Sequence, residues 1–245
     1  MAPPARLTVY GEPVLRCAAG IAFAGWRSMA PRGMDARRAA TGSAADFIPA
    51  TRTQPALREA AAGCRGCPLW QRGTQTVFGV GRRDARVMMV GEQPGHEEDL
   101  AGLPFVGPAG RLLDRALEEA RIDRREVYVT NVVKHFKWVA QGKRRIHAKP
   151  SPMEISACLP WLEAELDLVK PEALVCLGAT AAQALLGPKF RVTRQRGEWV
   201  NARWAPHVMA TVHPSSILRA PDEGGRRVEM ERFVADLATL RQVLR

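Results

Sequence analysis

The chain of 245 residues is long enough for one large domain with a well-buried core, or at most two small ones. Its apolar runs fall far short of the roughly 20 residues that cross a bilayer, and no apolar stretch typical of a secretory signal follows the first residues, so we expect a cytoplasmic protein. The formal net charge of +11 favours a polyanionic partner, because neutralising phosphates releases condensed counterions.

Residues 1–45 are rich in Ala, Gly, Pro and Arg and have no sustained period of 2 or 3.6. This composition predicts a disordered or loosely attached N-terminal extension, in which Cys17 is a free thiol and Met34 is an alternative start. The single large domain is predicted to span residues 46–245.

From residue 46 onward, short apolar runs alternate with segments of helical period. Strands are predicted at residues 86–90, 126–133, 173–177 and 207–212. Helices are predicted at residues 108–120, from Ser151 with an interruption near Pro160, at residues 179–186, and at the C-terminus. The alternation predicts an α/β fold with a central, mainly parallel sheet flanked by helices on both faces. Functional side chains are expected at the carboxyl ends of these strands.

Basic residues concentrate in two stretches, at residues 137–149 without an acid and at residues 189–203 opposed only by Glu198. Each is either a solvated loop or a nucleic-acid contact surface. Five cysteines, an odd number, argue against a disulfide framework. The pair Cys64-x-x-Cys67 alone suits zinc or a redox pair about as well as an iron–sulfur cluster.

Four motifs follow one another along the chain: Gly91–Gly95 (GEQPG), Pro104–Gly110 (PFVGPAG), Asn131–Lys134 (NVVK) and His213–Arg219 (HPSSILR). Taken singly, each has a simpler explanation: a structural turn, a core phenylalanine, an amide that caps a turn, and a histidine with ordinary partners. The loop at residues 91–95 also lacks the known nucleotide-binding patterns. In this order, however, the four motifs closely resemble the family 4 and related uracil-DNA glycosylases, over roughly residues 46–244.

The resemblance implies a uracil-DNA glycosylase-like three-layer α/β/α fold and an enzyme that reads a uracil flipped out of DNA. Phe105 would then stack on the uracil, while Asn131 and Gln93 would bind it. His213 would donate a hydrogen bond to the negative charge that develops around O2 as the base leaves. The remaining motif residues would hold DNA phosphates around the pocket; they are Ser215, Ser216 and Arg219.

Between the second strand and the helix at Ser151 lies the sequence Gly142–His147 (GKRRIH). Read by itself, it is a solvated basic loop with an incidental histidine. Together with Gln93, it resembles the UdgX branch of the superfamily, in which this loop supplies a histidine nucleophile. The resemblance implies that His147 attacks C1′ after the base departs, and that Glu92 stabilises the cationic sugar or orients the imidazole. The three basic residues of the loop would hold phosphates; they are Lys143, Arg144 and Arg145.

The resembling family carries a [4Fe–4S] cluster on four cysteines. Here Cys64, Cys67 and Cys158 match, but His135 stands where the family has its remaining cysteine. We predict His135 as the fourth ligand in preference to Cys176, which lies inside a predicted strand. Two alternatives stay open: an ordinary hydrolysing glycosylase with turnover, and a non-catalytic cluster protein that binds single-stranded or damaged DNA. In each case the expected partner is uracil-containing or damaged DNA, mainly single-stranded and reached at the nucleoid, and nothing requires more than a monomer.

Overall fold

A computed structural model describes residues 42–244. Within them, a five-stranded sheet has the order β2-β1-β5-β7-β6, and a separate two-stranded hairpin is formed by β3 and β4. The strands are β1 (Val87–Gly91), β2 (Val127–Asn131), β3 (Trp138–Gln141), β4 (Arg144–His147), β5 (Ala173–Leu177), β6 (Trp199–Val200) and β7 (His207–Thr211). The first four strands in that order are parallel, and only the short edge strand β6 pairs antiparallel.

Helices cover the sheet. They are α1 (Gln54–Ala62), α2 (His96–Ala101), α3 (Pro108–Glu119), α4 (Pro152–Val169), α5 (Ala179–Leu186), α6 (Val192–Gln195), α7 (Pro214–Leu218) and α8 (Glu223–Ala238). No helix among residues 42–244 is long and apolar enough to cross a membrane.

The central strands are apolar along their whole length because both faces of the sheet are buried. In β1, Met88 and Val90 face one hydrophobic cluster, whereas Val87 and Met89 face the other. The first cluster contains residues of α1, α4 and α5, and the second contains residues of α3 and α8. The predicted α/β fold is therefore confirmed.

Several predicted boundaries need correction. Helix α4 continues through Pro160, without the predicted interruption, and its first turn is stabilised by the capping box of Ser151 and Glu154. Residues 42–45 were assigned to the extension, yet Ala44 is buried in the core. Residues 1–41, with Cys17 and Met34, lie outside the described residues. The predicted basic loop is the β3–β4 hairpin, and its two-residue turn begins at Gly142 with a φ of 58°.

Candidate active site

The candidate site lies at the carboxyl edge of the sheet, where four strands end side by side. Gly91 and Asn131 are register partners at the ends of β1 and β2. Gly178 follows β5, and His213 comes two residues after β7. The parallel order of these strands brings together polar groups that are far apart in the sequence.

Gly91 makes room for two predicted uracil-binding residues. A Cβ atom at this position would overlap Oδ1 of Asn131 and lie 2.8 Å from Cζ of Phe105. Asn131 and Phe105 are both buried. The side chains predicted to read and to stack on the base therefore converge over a glycine.

Phe105 adopts a left-handed backbone conformation, with a φ of 56°, which is strained for a bulky residue. Gly110, in the first turn of α3, permits this conformation, because a Cβ there would overlap the main-chain oxygen of Phe105. The Phe105 ring lies 5.9 Å from the His213 ring between centroids, at an interplanar angle of 28°. The loop thus places the Phe105 ring beside the ring of His213.

His213 is held as a neutral hydrogen-bond donor. Its Nδ1 accepts the main-chain N–H of Ser215 at 3.2 Å and lies 2.8 Å from the Ser215 hydroxyl, so Nε2 carries the ring hydrogen. Burial lowers the pKa of His213 to about 4, and the charge of Arg219 contributes in the same direction. A fixed Nε2–H group suits the predicted role of stabilising negative charge on a departing base.

Glu92 connects the end of β1 to the hairpin histidine. One carboxylate oxygen accepts the hydroxyl hydrogen of Thr180, and the other lies 3.6 Å from Nε2 of His147. Burial lowers the pKa of His147, and the nearby charge of Glu92 opposes that shift. The structure therefore brings the predicted nucleophile next to the predicted carboxylate.

Gln93 holds the base of the hairpin. Its Oε1 accepts the N–H of Lys137 at 3.1 Å, and its Nε2 donates to the carbonyl oxygens of Lys137 and Ala148, each at 3.1 Å. The same Nε2 lies 2.9 Å from Nε2 of His147. The two hydrogens of this amide nitrogen face both carbonyl oxygens and the His147 ring. The side chain predicted to bind uracil is thus engaged with the hairpin.

Arg145 fastens the hairpin to α2 rather than facing solvent. It forms an ion pair of 2.6 Å with buried Asp99, donates to Nδ1 of His96 at 2.7 Å, and donates to the Thr74 hydroxyl at 3.2 Å. Its guanidinium also lies 5.4 Å from the Phe136 ring. The Arg145 guanidinium, which was predicted to hold a DNA phosphate, is therefore already bound by other protein groups.

The other predicted phosphate ligands differ in their availability. Lys143 and Arg144 are exposed at the tip of the hairpin, and Arg219 is exposed beside the histidines. Both serine hydroxyls instead contact His213: Ser215 lies against its ring, and Ser216 donates to its carbonyl oxygen at 2.8 Å. The serines therefore position the histidine, and the three cations are available to DNA.

Three buried thiols gather behind the site. Burial raises the pKa of Cys67, with Cys64 adding to the shift, and burial together with both of these cysteines raises the pKa of Cys158 to about 12. Trp161 follows Cys158 by one helical turn, and its buried Nε1–H has no acceptor within residues 42–244. The donor type of these thiols is that of a thiolate-bound cluster, whose positive charge would stabilise the ionised form of the sulfurs when bound.

His135 approaches the same segment through Thr76. Its Nε2 lies 3.1 Å from the Thr76 hydroxyl, which donates to the Ala61 carbonyl oxygen, so Nε2 carries the hydrogen and Nδ1 keeps a lone pair. Burial lowers the pKa of His135 to about 4, which leaves the ring neutral. Cys176 lies inside β5, and only burial raises the pKa of its thiol. Among the described residues, no set of three or more Cys, His, Asp or Glu side chains is arranged ready to hold a metal ion.

The sequence reasoning missed a buried ion pair that lies between the thiols and the pocket. The Lys134 ammonium group donates to Glu165, to the Thr130 hydroxyl at 2.6 Å, and to the Asn131 carbonyl oxygen at 2.7 Å. Its main-chain N–H donates to Sγ of Cys158 at 3.3 Å. The NVVK motif alone does not indicate this ion pair, because the partner carboxylate of Glu165 is 31 residues away in the sequence.

Comparison of the sequence with known proteins identifies the family. Residues 78–238 match the model of the uracil DNA glycosylase superfamily. The chain is similar to the Type-4 uracil-DNA glycosylase of Thermotoga maritima, with 39% identity over 169 residues, which cover 69% of this chain and 84% of the relative. It is also similar to the Type-4 enzyme of Archaeoglobus fulgidus (37% identity, 64% of this chain, 79% of the relative) and to the Type-5 enzyme of Thermus thermophilus (36% identity, 50% and 58%).

The mainly parallel sheet flanked by helices is consistent with the fold of the uracil-DNA glycosylases. This chain belongs to the uracil-DNA glycosylase superfamily.

Proposed function

We propose that this protein excises uracil from DNA and then becomes covalently linked through His147 to C1′ of the abasic sugar, as in the UdgX branch. The activity is assigned to the domain predicted at residues 46–245. The superfamily match and the similarity to relatives named uracil-DNA glycosylases support the excision step. One observation carries the covalent step: Nε2 of His147 lies 3.6 Å from the Glu92 carboxylate, at the same sheet edge as Asn131 and His213.

In the excision step, Asn131 reads the uracil edge and Phe105 stacks on the flipped base. The electron pair of the glycosidic bond leaves with uracil, and the charge that develops around O2 receives the hydrogen bond of the His213 Nε2–H group. The sugar left behind is electron-poor at C1′. Glu92, oriented by Thr180, provides a negative charge near that sugar.

In the covalent step, the lone pair on Nε2 of His147 forms a C–N bond to C1′. The ring then loses its Nδ1 hydrogen to solvent, which restores a neutral imidazole, and the uracil anion takes up a proton. The position of the ring supports this assignment, because Nε2 is the ring nitrogen that lies near both Gln93 and Glu92. Attack requires only that Nε2 exchange the amide hydrogen of Gln93 for the sugar carbon. Because this bond is not a Schiff base, it offers no obvious reverse reaction, and a single turnover is expected.

The same proposal assigns a [4Fe–4S] cluster to Cys64, Cys67, Cys158 and His135, as the family resemblance implies. Bound there, the cluster would cross-link the segment before β1 to the segment that enters the hairpin. No redox step is required. The neutral His135 ring, with its Nε2–H group fixed by Thr76, leaves Nδ1 as the ligating atom. Preference for single strands, the monomeric state and the cytoplasmic location remain predictions.

A denaturing gel tests the proposal. Protein incubated with uracil-containing single-stranded DNA should give a shifted band that is stable to heat and SDS. His147→Ser should abolish that band and release free uracil with an abasic site. Turnover by the unchanged protein without a shifted band would favour the ordinary hydrolysing enzyme. DNA binding without any release of uracil would favour the non-catalytic alternative.

A further inference from the structure

A line of aromatic and basic side chains leads away from the His147 nucleophile along the surface. Trp138, the first residue of β3, lies directly opposite His147 in the hairpin. Its indole Nε1–H donates to the carbonyl oxygen of Arg72 at 2.9 Å, and the Arg72 guanidinium lies 4.6 Å from its ring centroid. The site therefore continues across Trp138 onto the segment that carries Arg72.

A second pair of the same kind lies on the chain segment that carries Arg72. Trp70, two residues before Arg72, is 37% exposed, and the Arg65 guanidinium lies 4.8 Å from its ring centroid. We call Arg65, Trp70, Arg72 and Trp138 the tryptophan strip. Its two arginines are exposed and form no ion pair within residues 42–244. An arginine without an acidic partner, beside an indole that is at least partly exposed, suits a polyanion with flat bases.

A third arginine–tryptophan pair provides the contrast. Arg203 lies 4.0 Å from the Trp204 ring, but its guanidinium is paired with Glu163 at 3.3 Å. This pair precedes β7, at the opposite edge of the sheet from the site. The Arg203–Trp204 pair is thus charge-compensated and remote, whereas the tryptophan strip is uncompensated and adjoins the nucleophile.

We propose that the tryptophan strip is a stacking track for the bases of single-stranded DNA that flank the target uracil. Stacking on an indole needs an unpaired base and tolerates any sequence, and the arginines supply charge for the phosphates between them. This proposal specifies single-stranded DNA as the form of the substrate, and it rests on the proposed function. Such a track would produce the predicted preference for single strands without any contact to the uracil itself.

The test measures binding to DNA that contains thymine in place of uracil, so that no excision or cross-link intervenes. Fluorescence anisotropy is recorded with single strands of about 5 and about 16 nucleotides, the range of known single-strand site sizes. Trp70→Ala should weaken binding of the longer strand by about 10-fold or more and leave the shorter one nearly unchanged. Trp70→Phe should restore most of the loss, and Arg203→Ala is the matched control.

Trp70 is the position to change, because Trp138 belongs to the hairpin and pairs with His147, so its loss would disturb the proposed nucleophile. Arg72→Gln gives a second variant that keeps both indoles and should lower the salt dependence of binding. A base analogue whose fluorescence is quenched by stacking, placed beside the thymine that replaces the target uracil, should report quenching with the unchanged protein and recovery with Trp70→Ala.

Equal affinity of Trp70→Ala and unchanged protein for the long strand would overturn the track, as would an equal loss for duplex DNA. These readings are independent of the covalent step. Length-dependent binding that needs Trp70, together with no shifted band on the denaturing gel, would keep the track and remove the His147 proposal. The reverse result would remove the track alone.

Discussion

Gly91 and Asn131 end neighbouring strands in register, and the missing side chain of the first makes space for the amide of the second. The same gap admits the edge of the Phe105 ring. The residue proposed to read the base thus depends on a glycine that would not itself touch the base.

Gly91→Ala should therefore slow uracil excision by roughly 100-fold while leaving the fold intact. The added methyl group displaces the Asn131 amide and the Phe105 ring, and a shift of about 1 Å at such a site can cost roughly 100-fold in rate. Uracil release measured under single-turnover conditions checks this. Gly63→Ala, whose new methyl group would meet only the Ala60 carbonyl oxygen at 3.7 Å, is the control. Unchanged release by Gly91→Ala would show that Asn131 does not read the base.

Gln93→Ala should separate excision from cross-linking. The variant loses the hydrogen bonds to Lys137 and Ala148 that hold the base of the hairpin, each worth about 1 kcal/mol, so the His147 ring is no longer fixed. We expect the rate of cross-link formation to fall about 10-fold or more, with a smaller fall in uracil release. The ratio of shifted band to free uracil measures the effect. Gln141→Ala, on the exposed end of β3, is the control, and an unchanged ratio would contradict the role of Gln93.

Two adjacent arginines of β4 should behave differently when changed to alanine. Arg145→Ala leaves Asp99 buried and unpaired, which costs about 3–5 kcal/mol, so thermal stability and cross-linking should both fall. Arg144→Ala should leave stability unchanged and reduce the salt slope of DNA binding by about 1. Thermal unfolding and binding titrations at several salt concentrations distinguish the two. Similar behaviour of both variants would argue against Arg145 as the anchor of the hairpin.

The His213 ring should make stability depend on pH. In the unfolded chain its pKa returns to about 6.5, whereas burial holds it at about 4 in the folded protein. Between these values the unfolded chain binds more protons, so the free energy of unfolding falls as the pH is lowered. From pH 7 to pH 5 this loss is on the order of 2 kcal/mol. Urea unfolding at both values should give a smaller loss for His213→Gln, and an equal loss in both proteins would refute the assignment.

The ligand assignment predicts which variants keep the colour of a cluster. Cys158→Ala and His135→Ala should lose the visible absorption and the bound iron, while Cys176→Ala should retain both, because the Cys176 thiol lies inside the sheet. Absorption spectra and the ratio of iron to protein provide the measurement. Loss of colour in Cys176→Ala with retention in His135→Ala would reverse the assignment. A chelator that removes the iron should also destabilise the unchanged protein.

The strands and the polar edge of the sheet could be predicted from the sequence because each buried strand is a continuous apolar run. The hairpin could not be predicted in the same way, since Val139 and Ile146 are exposed and show no buried face. The sequence feature that indicated a hairpin was Gly142, which suits the first position of a two-residue turn. The place of Thr180 at the site could also have been predicted, because Thr180 comes two residues after Gly178, which follows a predicted strand.

The roles of Gln93, Arg145 and Lys134 were beyond sequence reasoning for another reason. Each depends on partners more than 30 residues away, such as Ala148 for Gln93 and Asp99 for Arg145. Composition records their charge and polarity, but only the fold decides whether those groups face DNA or another part of the protein. Two residues expected to bind substrate were for this reason found to support the hairpin.

The place of His147 within its hairpin has a practical consequence. The ring of the proposed nucleophile lies on the last residue of β4, at the root of the hairpin, whereas the turn at Gly142 has no neighbour within 4 Å of its Cβ position. A fluorescent label or an inserted peptide at that turn would extend into open solvent, away from the hydrogen bonds that Gln93 makes at the base of the hairpin. The turn is therefore a natural place to attach a reporter to this protein.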